Sequence, residues 1–180
     1  LFKFRQDISV IGIAGPGDPM CDADKTLATF EKCKSHFPNA LLCLSTNGLA
    51  LPEHVDEIVR LGVSHVTVTV NAVTPDVGSK VYSWVRYEDK NYYGEEAARI
   101  LLARQDEGIR KLKEAGMLVK INTVVIPGVN IDHVQSISAK AKQWGADIMN
   151  CMAMIPVHDT PFENLKSPSS DEIHRIRRSI

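Results

Sequence analysis

Apolar and polar positions along this chain follow two periods that take turns. Short runs rich in branched aliphatics read as strands: DISVIGIA (7–14), NALLCLS (39–45), HVTVTVNAV (65–73), LVKINTVVI (118–126) and DIMNCMAMI (147–155). Between them lie stretches whose apolar residues recur three and four apart. These predict helices over 22–37, from Pro52 to Gly62, over 94–116 and over 130–145, with a last helix opened by SSDEIHRI. Acidic residues fill the first turn of the 22–37 segment, where the helix dipole favours them, Pro52 suits a first turn, and Gly62 and Gly116 suit helix ends. The stretch 74–93 has no clean period and holds all four tyrosines and Trp84. It reads either as a lid or partner-binding loop, or as an aromatic cluster packed on outer helices.

Strict alternation of strand and helix calls for a parallel sheet, because parallel neighbours need a crossover. Five βα units are too few to close an eight-stranded barrel, which leaves an open barrel of fewer strands or a doubly wound sheet. No linker or low-complexity segment interrupts the chain, so residues 1–180 read as one domain or part of one. In both architectures ligands meet the carboxyl ends of the strands. Those ends carry Gly15-Pro16-Gly17-Asp18-Pro19, then Ser45-Thr46-Asn47-Gly48, then Asn71, then Asn122 and Thr123. The last strand carries Asn150 and Cys151 before Met154-Ile155-Pro156. In the third strand Val66, Val68 and Val70 share a face suited to covering helices, while Thr67, Thr69 and Asn71 share the other. Lys120 and Asn122 share a face in the same way. An interior of this kind reads as hydrated or ligand-filled, or as a polar core satisfied by its own hydrogen bonds.

Composition narrows the function classes. Apolar residues make up 44% and charged residues 24% of the 180, enough for a substantial core and against intrinsic disorder. Lysine plus arginine (21) nearly balance aspartate plus glutamate (22), so charge makes no case for nucleic acid or an acidic membrane. No apolar run reaches membrane-spanning length, and LFKFRQDISV lacks secretory-signal features and reads as a chain entered in mid-domain. Cys21, Cys33, Cys43 and Cys151 form no CxxC pair, which suggests a reducing, cytoplasmic setting and buried structural thiols. GIAGPGDP fits neither the dinucleotide fingerprint nor a P-loop. Its glycines would let a ligand approach bare backbone and Asp18 could pair with an ammonium group, or the segment is simply a tight turn. Ser45-Thr46-Asn47-Gly48 leads into a helix rather than a hairpin and suits a ribose or carboxylate. Among the histidines, His36, His54, His133 and His174 fall on helices and His65 opens a strand. His158, in the loop after the fifth strand, is the candidate site histidine.

The series GIAGPGDP, LCLSTNGL and KINTVVIPGVN at successive strand ends resembles the radical S-adenosylmethionine (SAM) enzymes. From Ser9 to the last helix the chain is similar to their NifB family, which works in nitrogenase cofactor assembly. The similarity takes in VNAVTPDVGSKVYSWV, GEEAARILLARQDEG and IPVHDTPF. It implies a partial, TIM-like βα barrel of the radical SAM type with five βα units. It implies SAM contacts from Gly15, Pro16, Gly17 and Asp18 at the amino end of the ligand, and from Ser45, Thr46 and Asn47 beside the nucleoside. Asn71 and Asn122 would be further contacts, with Met154, Ile155 and Pro156 near the adenine. Cys43 would ligate one of two substrate [4Fe-4S] clusters, while Cys21, Cys33 and Cys151 stay structural. The implied reaction uses SAM-derived carbon to convert two [4Fe-4S] clusters into an eight-iron carbide precursor. Implied partners are an iron–sulfur cluster donor, cofactor-accepting assembly proteins and an electron donor.

The CxxxCxxC motif that holds the SAM-cleaving cluster in that family occurs nowhere in the sequence. The expectation is therefore a fragment missing its first βα unit and inactive alone, with a degenerate paralogue as the other possibility. Three other functions compete. Another radical SAM branch, such as an activase or a ring-forming cofactor enzyme, would not need Cys43. A cluster-free scaffold would use the barrel and the aromatic stretch for protein contacts. A conventional βα-barrel lyase or aldolase would need a Schiff-base lysine, for which only Lys120 lies on the inner face.

Overall fold

A computed structural model describes residues 9–180, so Asp7 and Ile8 of the first expected strand lie outside the described residues. The parallel sheet contains β1 (Val10–Ile13), β2 (Leu41–Thr46), β3 (Val63–Thr69), β6 (Leu118–Val125) and β7 (Ile148–Ala153). Helices α1 (Ala23–His36), α2 (Val55–Arg60), α4 (Gly94–Glu114) and α5 (Val134–Trp144) make the crossovers, and α6 (Ser170–Ser179) follows β7. Local chemistry fixes their ends. The Asp22 carboxylate accepts from the Lys25 N–H at the start of α1, and Ser169 and Glu172 form a reciprocal capping box on α6. Gly145 closes α5 in the left-handed conformation.

Strand order decides between the two architectures the sequence leaves open. The sheet runs β1-β2-β3-β6-β7 with every neighbour parallel. A doubly wound sheet reverses its order in the middle, whereas this one winds in a single direction. It is an arc of a TIM-like βα barrel. Period-two alternation then sorts the strands into two faces. Leu42, Leu44, Val66, Val68, Val119 and Ile121 pack outward against Phe30, Ile58, Ile109, Leu112 and Ile137 in one continuous core. Among the described residues, no helix covers the opposite, concave face.

Segment 74–93 is structured rather than a loop. It forms α3 (Pro75–Val81) and an antiparallel hairpin of β4 (Trp84–Tyr87) and β5 (Lys90–Tyr93). Its signal is weak because each strand has four residues of mixed polarity, and the turn uses Glu88 and Asp89 at positive φ rather than Asn-Gly. Val85, Tyr82, Tyr87 and Tyr92 pack with Ala97 and Leu101 of α4. The cation of Arg104 lies 5.3 Å from the Tyr87 ring centroid and its Nε donates to the Leu49 carbonyl. Among the described residues, no helix is long and apolar enough to cross a membrane.

Where the barrel strands end, buried amides replace the ladder. Asn130 is fully buried; its Oδ1 accepts from Ile126 N–H (2.7 Å) and its Nδ2 donates to Asn71 O (3.0 Å) and Val124 O (2.9 Å). Asn71 answers by accepting from Val124 N–H through Oδ1 (2.9 Å). Loss of such a clamp strands buried backbone groups. Asn130→Ala is expected to destabilise the fold by about 2–4 kcal/mol in urea unfolding. A change within about 0.5 kcal/mol would refute the clamp, since that is the range of neutral surface substitutions.

Candidate functional site

Residues paired in a parallel ladder point to the same side, so the register reads out the concave face row by row. The deepest described row of mixed chemistry is Gly12, Cys43, His65 and Leu118. Above it lie Ser45, Thr67, Lys120 and Ile148. Nearest the strand ends lie Thr69, Asn122 and Asn150, where Asn150 Nδ2 donates to Asn122 Oδ1 at 3.5 Å. Towards the amino ends of the strands the face is apolar and open. Val10, Leu41, Leu118 and Ile148 are each half exposed or more.

Cys43 is placed by its neighbour as much as by its strand. A Cβ on Gly12 would stand 2.7 Å from the Cys43 sulfur, so only glycine leaves the thiol its position. Burial pushes the Cys43 thiol above its usual range, and the positive charge of Lys120 pulls it part of the way back. Across the two deeper rows, Cys43, His65, Ser45, Thr67 and Lys120 are buried or half-buried. Their side chains take no part in any hydrogen bond or ion pair among the described residues.

The rim is different, because several of its polar groups are spent on the protein. Asp18 caps the turn after β1 by accepting from Met20 N–H (2.9 Å). The same carboxylate accepts from Thr46 Oγ1 (2.9 and 3.1 Å) and from Asn47 N–H. Asp18 thus ties the first strand-end loop to the second and leaves little acceptor capacity for an ammonium. Thr46 lies on the helix side of β2, buried, while Ser45 faces inward. Asn47 Oδ1 accepts from Leu49 N–H (2.8 Å), and Asn71 is held by the Asn130 clamp. Gly15, Pro16, Gly17 and Ile155 are exposed and Met154 is buried, its N–H bonded to Val125 O. A cleft of about 710 Å³ opens between these loops and the hairpin, lined by Asp18, Asn47, Leu49, Tyr82, Trp84 and Tyr87 among others. The aromatic stretch therefore both packs on α4 and walls a cleft at the rim.

Two supports escaped the sequence reading. Gln105 of α4 is fully buried, and its Nε2 donates to Asn47 O (2.7 Å) and Thr69 O (3.0 Å). Its signal is a glutamine inside the apolar stripe Leu101, Gly108, Ile109, Leu112. Gly48, at φ 88°, sits against Gln105 and Val68 and has no room for a side chain. Tyr82 is the second, with its hydroxyl oxygen accepting from Asn71 N–H at 3.3 Å.

Other candidates do not converge. Cys21 is exposed, Cys33 half-buried, and Cys151 lies buried on the helix side with Arg177 donating to its carbonyl. Among the described residues no three cysteines meet, so the chain does not supply a three-thiolate cluster site. His158 is exposed beside Asp159 (3.0 Å) and Glu163, away from the polar rows in sequence and on the surface.

Residues 2–141 match the radical SAM superfamily. The chain belongs to that superfamily. Within it, this radical SAM chain is 40% identical over 175 residues to the FeMo cofactor biosynthesis protein NifB of Chlorobaculum tepidum, covering 97% of this chain and 41% of that protein. To the FeMo cofactor biosynthesis protein NifB of Sinorhizobium fredii it is 50% identical over 157 residues, covering 86% of this chain and 32% of the other. The chain thus spans well under half the length of these relatives. Its fold is that of a radical SAM methyltransferase from Sphaerobacter thermophilus, at TM-score 0.70 and 19% identity over 95% of this chain and 47% of that one.

Burial pushes the Tyr82 hydroxyl up to about 12, while its contacts with Asn71 and Gln105 act against the shift. Because the folded form holds this proton more tightly than the unfolded chain, Tyr82 contributes stability below pH 10 that is lost as pH rises from 10 to 12. Tyrosinate absorbance should show a late step near pH 12 that Tyr82→Phe abolishes. A late step that survives the substitution would assign the buried hydroxyl elsewhere.

Proposed function

We propose that this chain is the central part of a NifB-like radical SAM enzyme acting in nitrogenase cofactor biosynthesis. In this reading residues 1–180 are one incomplete barrel domain of a longer, cytoplasmic polypeptide. The observation that carries the proposal is the inward thiol of Cys43, given room by Gly12 and lying below a polar rim. A buried structural cysteine would pack among aliphatics on the helix face, as Cys151 does.

SAM suits the rim. Gly15, Pro16 and Gly17 offer exposed backbone, Asn47 and Asn122 offer their amide N–H groups, and the Ser45 hydroxyl lies one row deeper. Asn71, Thr46 and Asp18 would act through the loops they tie, and Met154, Ile155 and Pro156 would flank the base. When bound, SAM supplies the carbon and the reductively generated radical chemistry of this superfamily. The thiolates for the SAM-cleaving [4Fe-4S] cluster are not among these cysteines, and we assign them to another part of the polypeptide. The substrates would be two [4Fe-4S] clusters, one ligated by Cys43, and the product an eight-iron carbide precursor. The barrel's contribution is to orient both ligands and exclude water. Such a reaction needs a cluster donor, an electron donor and an accepting assembly protein.

The test is Cys43→Ser in the full-length polypeptide, reconstituted anaerobically with iron and sulfide. Iron content should fall by about four per chain, one cluster's worth. Formation of the precursor should cease while SAM binding by calorimetry is retained. Unchanged iron content and product formation would exclude the role for Cys43 and favour another radical SAM branch.

A further inference from the structure

Five polar side chains on one patch of the concave face make no hydrogen bond or ion pair among the described residues, and one of them is a lysine. Lys120 projects from the middle of β6, half-buried, two rungs below Asn122 on the same face. A lysine in such a position ordinarily finds a carboxylate. The comparably shielded Lys113 and Lys140 do so, pairing with Asp147 and Asp106. On the concave face, however, no acidic side chain occurs in any of the three described rows. In its own row Lys120 stands between Thr67 and Ile148, with Ser45 one strand beyond Thr67, and the row beneath holds Cys43, His65 and Leu118. A half-buried cation whose row offers neutral groups and no carboxylate is an incomplete charge pair, and burial without compensation is costly. The missing component is an anion.

We propose that Lys120, with the Thr67 and Ser45 hydroxyls following it across the same row, is the charge-compensating wall of the chamber that holds the anionic iron–sulfur substrate at Cys43. The inference rests on the reading of Cys43 as a substrate-cluster ligand and adds the group that balances the charge. A thiolate-ligated [4Fe-4S] cluster carries net negative charge, and its potential responds to nearby charge and to hydrogen bonds at its sulfurs. Lysine provides a compact cation on a flexible stem, and the two hydroxyls can donate to sulfide. The Lys120 charge is near enough to lower the pKa of the Cys43 thiol, against the larger effect of burial. Lys120 is thus a positioning residue for the substrate, with no bond made or broken at its nitrogen. This use also differs from that of a Schiff-base lysine, which would need its amine neutral.

The experiment uses the full-length polypeptide, reconstituted anaerobically, as parent, Lys120→Met, Lys120→Gln and Lys120→Arg. Two quantities are read: the midpoint potential of the Cys43-dependent cluster by electron paramagnetic resonance, and the rate of iron loss to a chelator. Removing the cation should shift the potential to more negative values and speed iron loss about tenfold, the effect of one charge-assisted contact. Lys120→Arg should restore both. Parent-like potential and iron retention in both neutral variants would overturn the proposal. Two neutral substitutions of different polarity guard against a packing effect, since a packing defect would not be cured by the larger arginine. Cys43→Ser is the control that separates the two claims. If it removes the signal while Lys120→Met leaves it untouched, only the Lys120 inference fails; if the signal survives Cys43→Ser, both fail.

Discussion

Alternate residues of a strand must face opposite ways, and among the described residues helices cover only one of the two faces. Everything functional follows from that asymmetry. The helix side takes Leu42, Leu44, Val66, Val68, Val119 and Ile121 and supplies the folding free energy. The concave side is thereby left to residues that contribute little to the core: Cys43, His65, Ser45, Thr67, Lys120, Asn122 and Asn150. Strands that wind in one direction without reversal keep this side facing a common axis. A single residue of register slip would exchange the two sets, which ties the register of the barrel to its chemistry.

Polar residues at the strand ends divide between holding the barrel and holding a ligand. Asp18, Thr46, Asn71, Asn130 and Gln105 form cross-links between loops, each bonding backbone groups that the sheet no longer pairs. The deeper polar rows make no such links. Residue type does not distinguish the two groups, since threonine occurs in both. Bonding does, and it moves the most available chemistry from the rim towards the middle of the concave face.

That division also explains what the sequence could and could not tell. Parallel alternation, the inward Thr67–Thr69 face and the outward valines were legible because period two over long strands is unambiguous. The choice between an arc of a barrel and a doubly wound sheet was not, because it depends on strand order rather than on any local pattern. The hairpin Trp84–Tyr93 was missed since four-residue strands with a Glu-Asp turn carry almost no periodic signal. Asp18 was legible as a polar residue at a strand end, but its engagement by Thr46 and Asn47 depends on residues far along the chain. Gly12 belongs to the same class, because its reason is the Cys43 sulfur on the neighbouring strand.

The central claim is that the concave face, at the depth of Cys43, is where the iron–sulfur substrate sits. Anomalous scattering at the iron edge, from anaerobic crystals of the reconstituted full-length protein, tests it directly. The account predicts an iron-rich peak within bonding distance of the Cys43 sulfur, on the side of the sheet that bears Lys120 and His65. Iron at full occupancy elsewhere in the protein, with a free Cys43 thiol facing solvent, would contradict it.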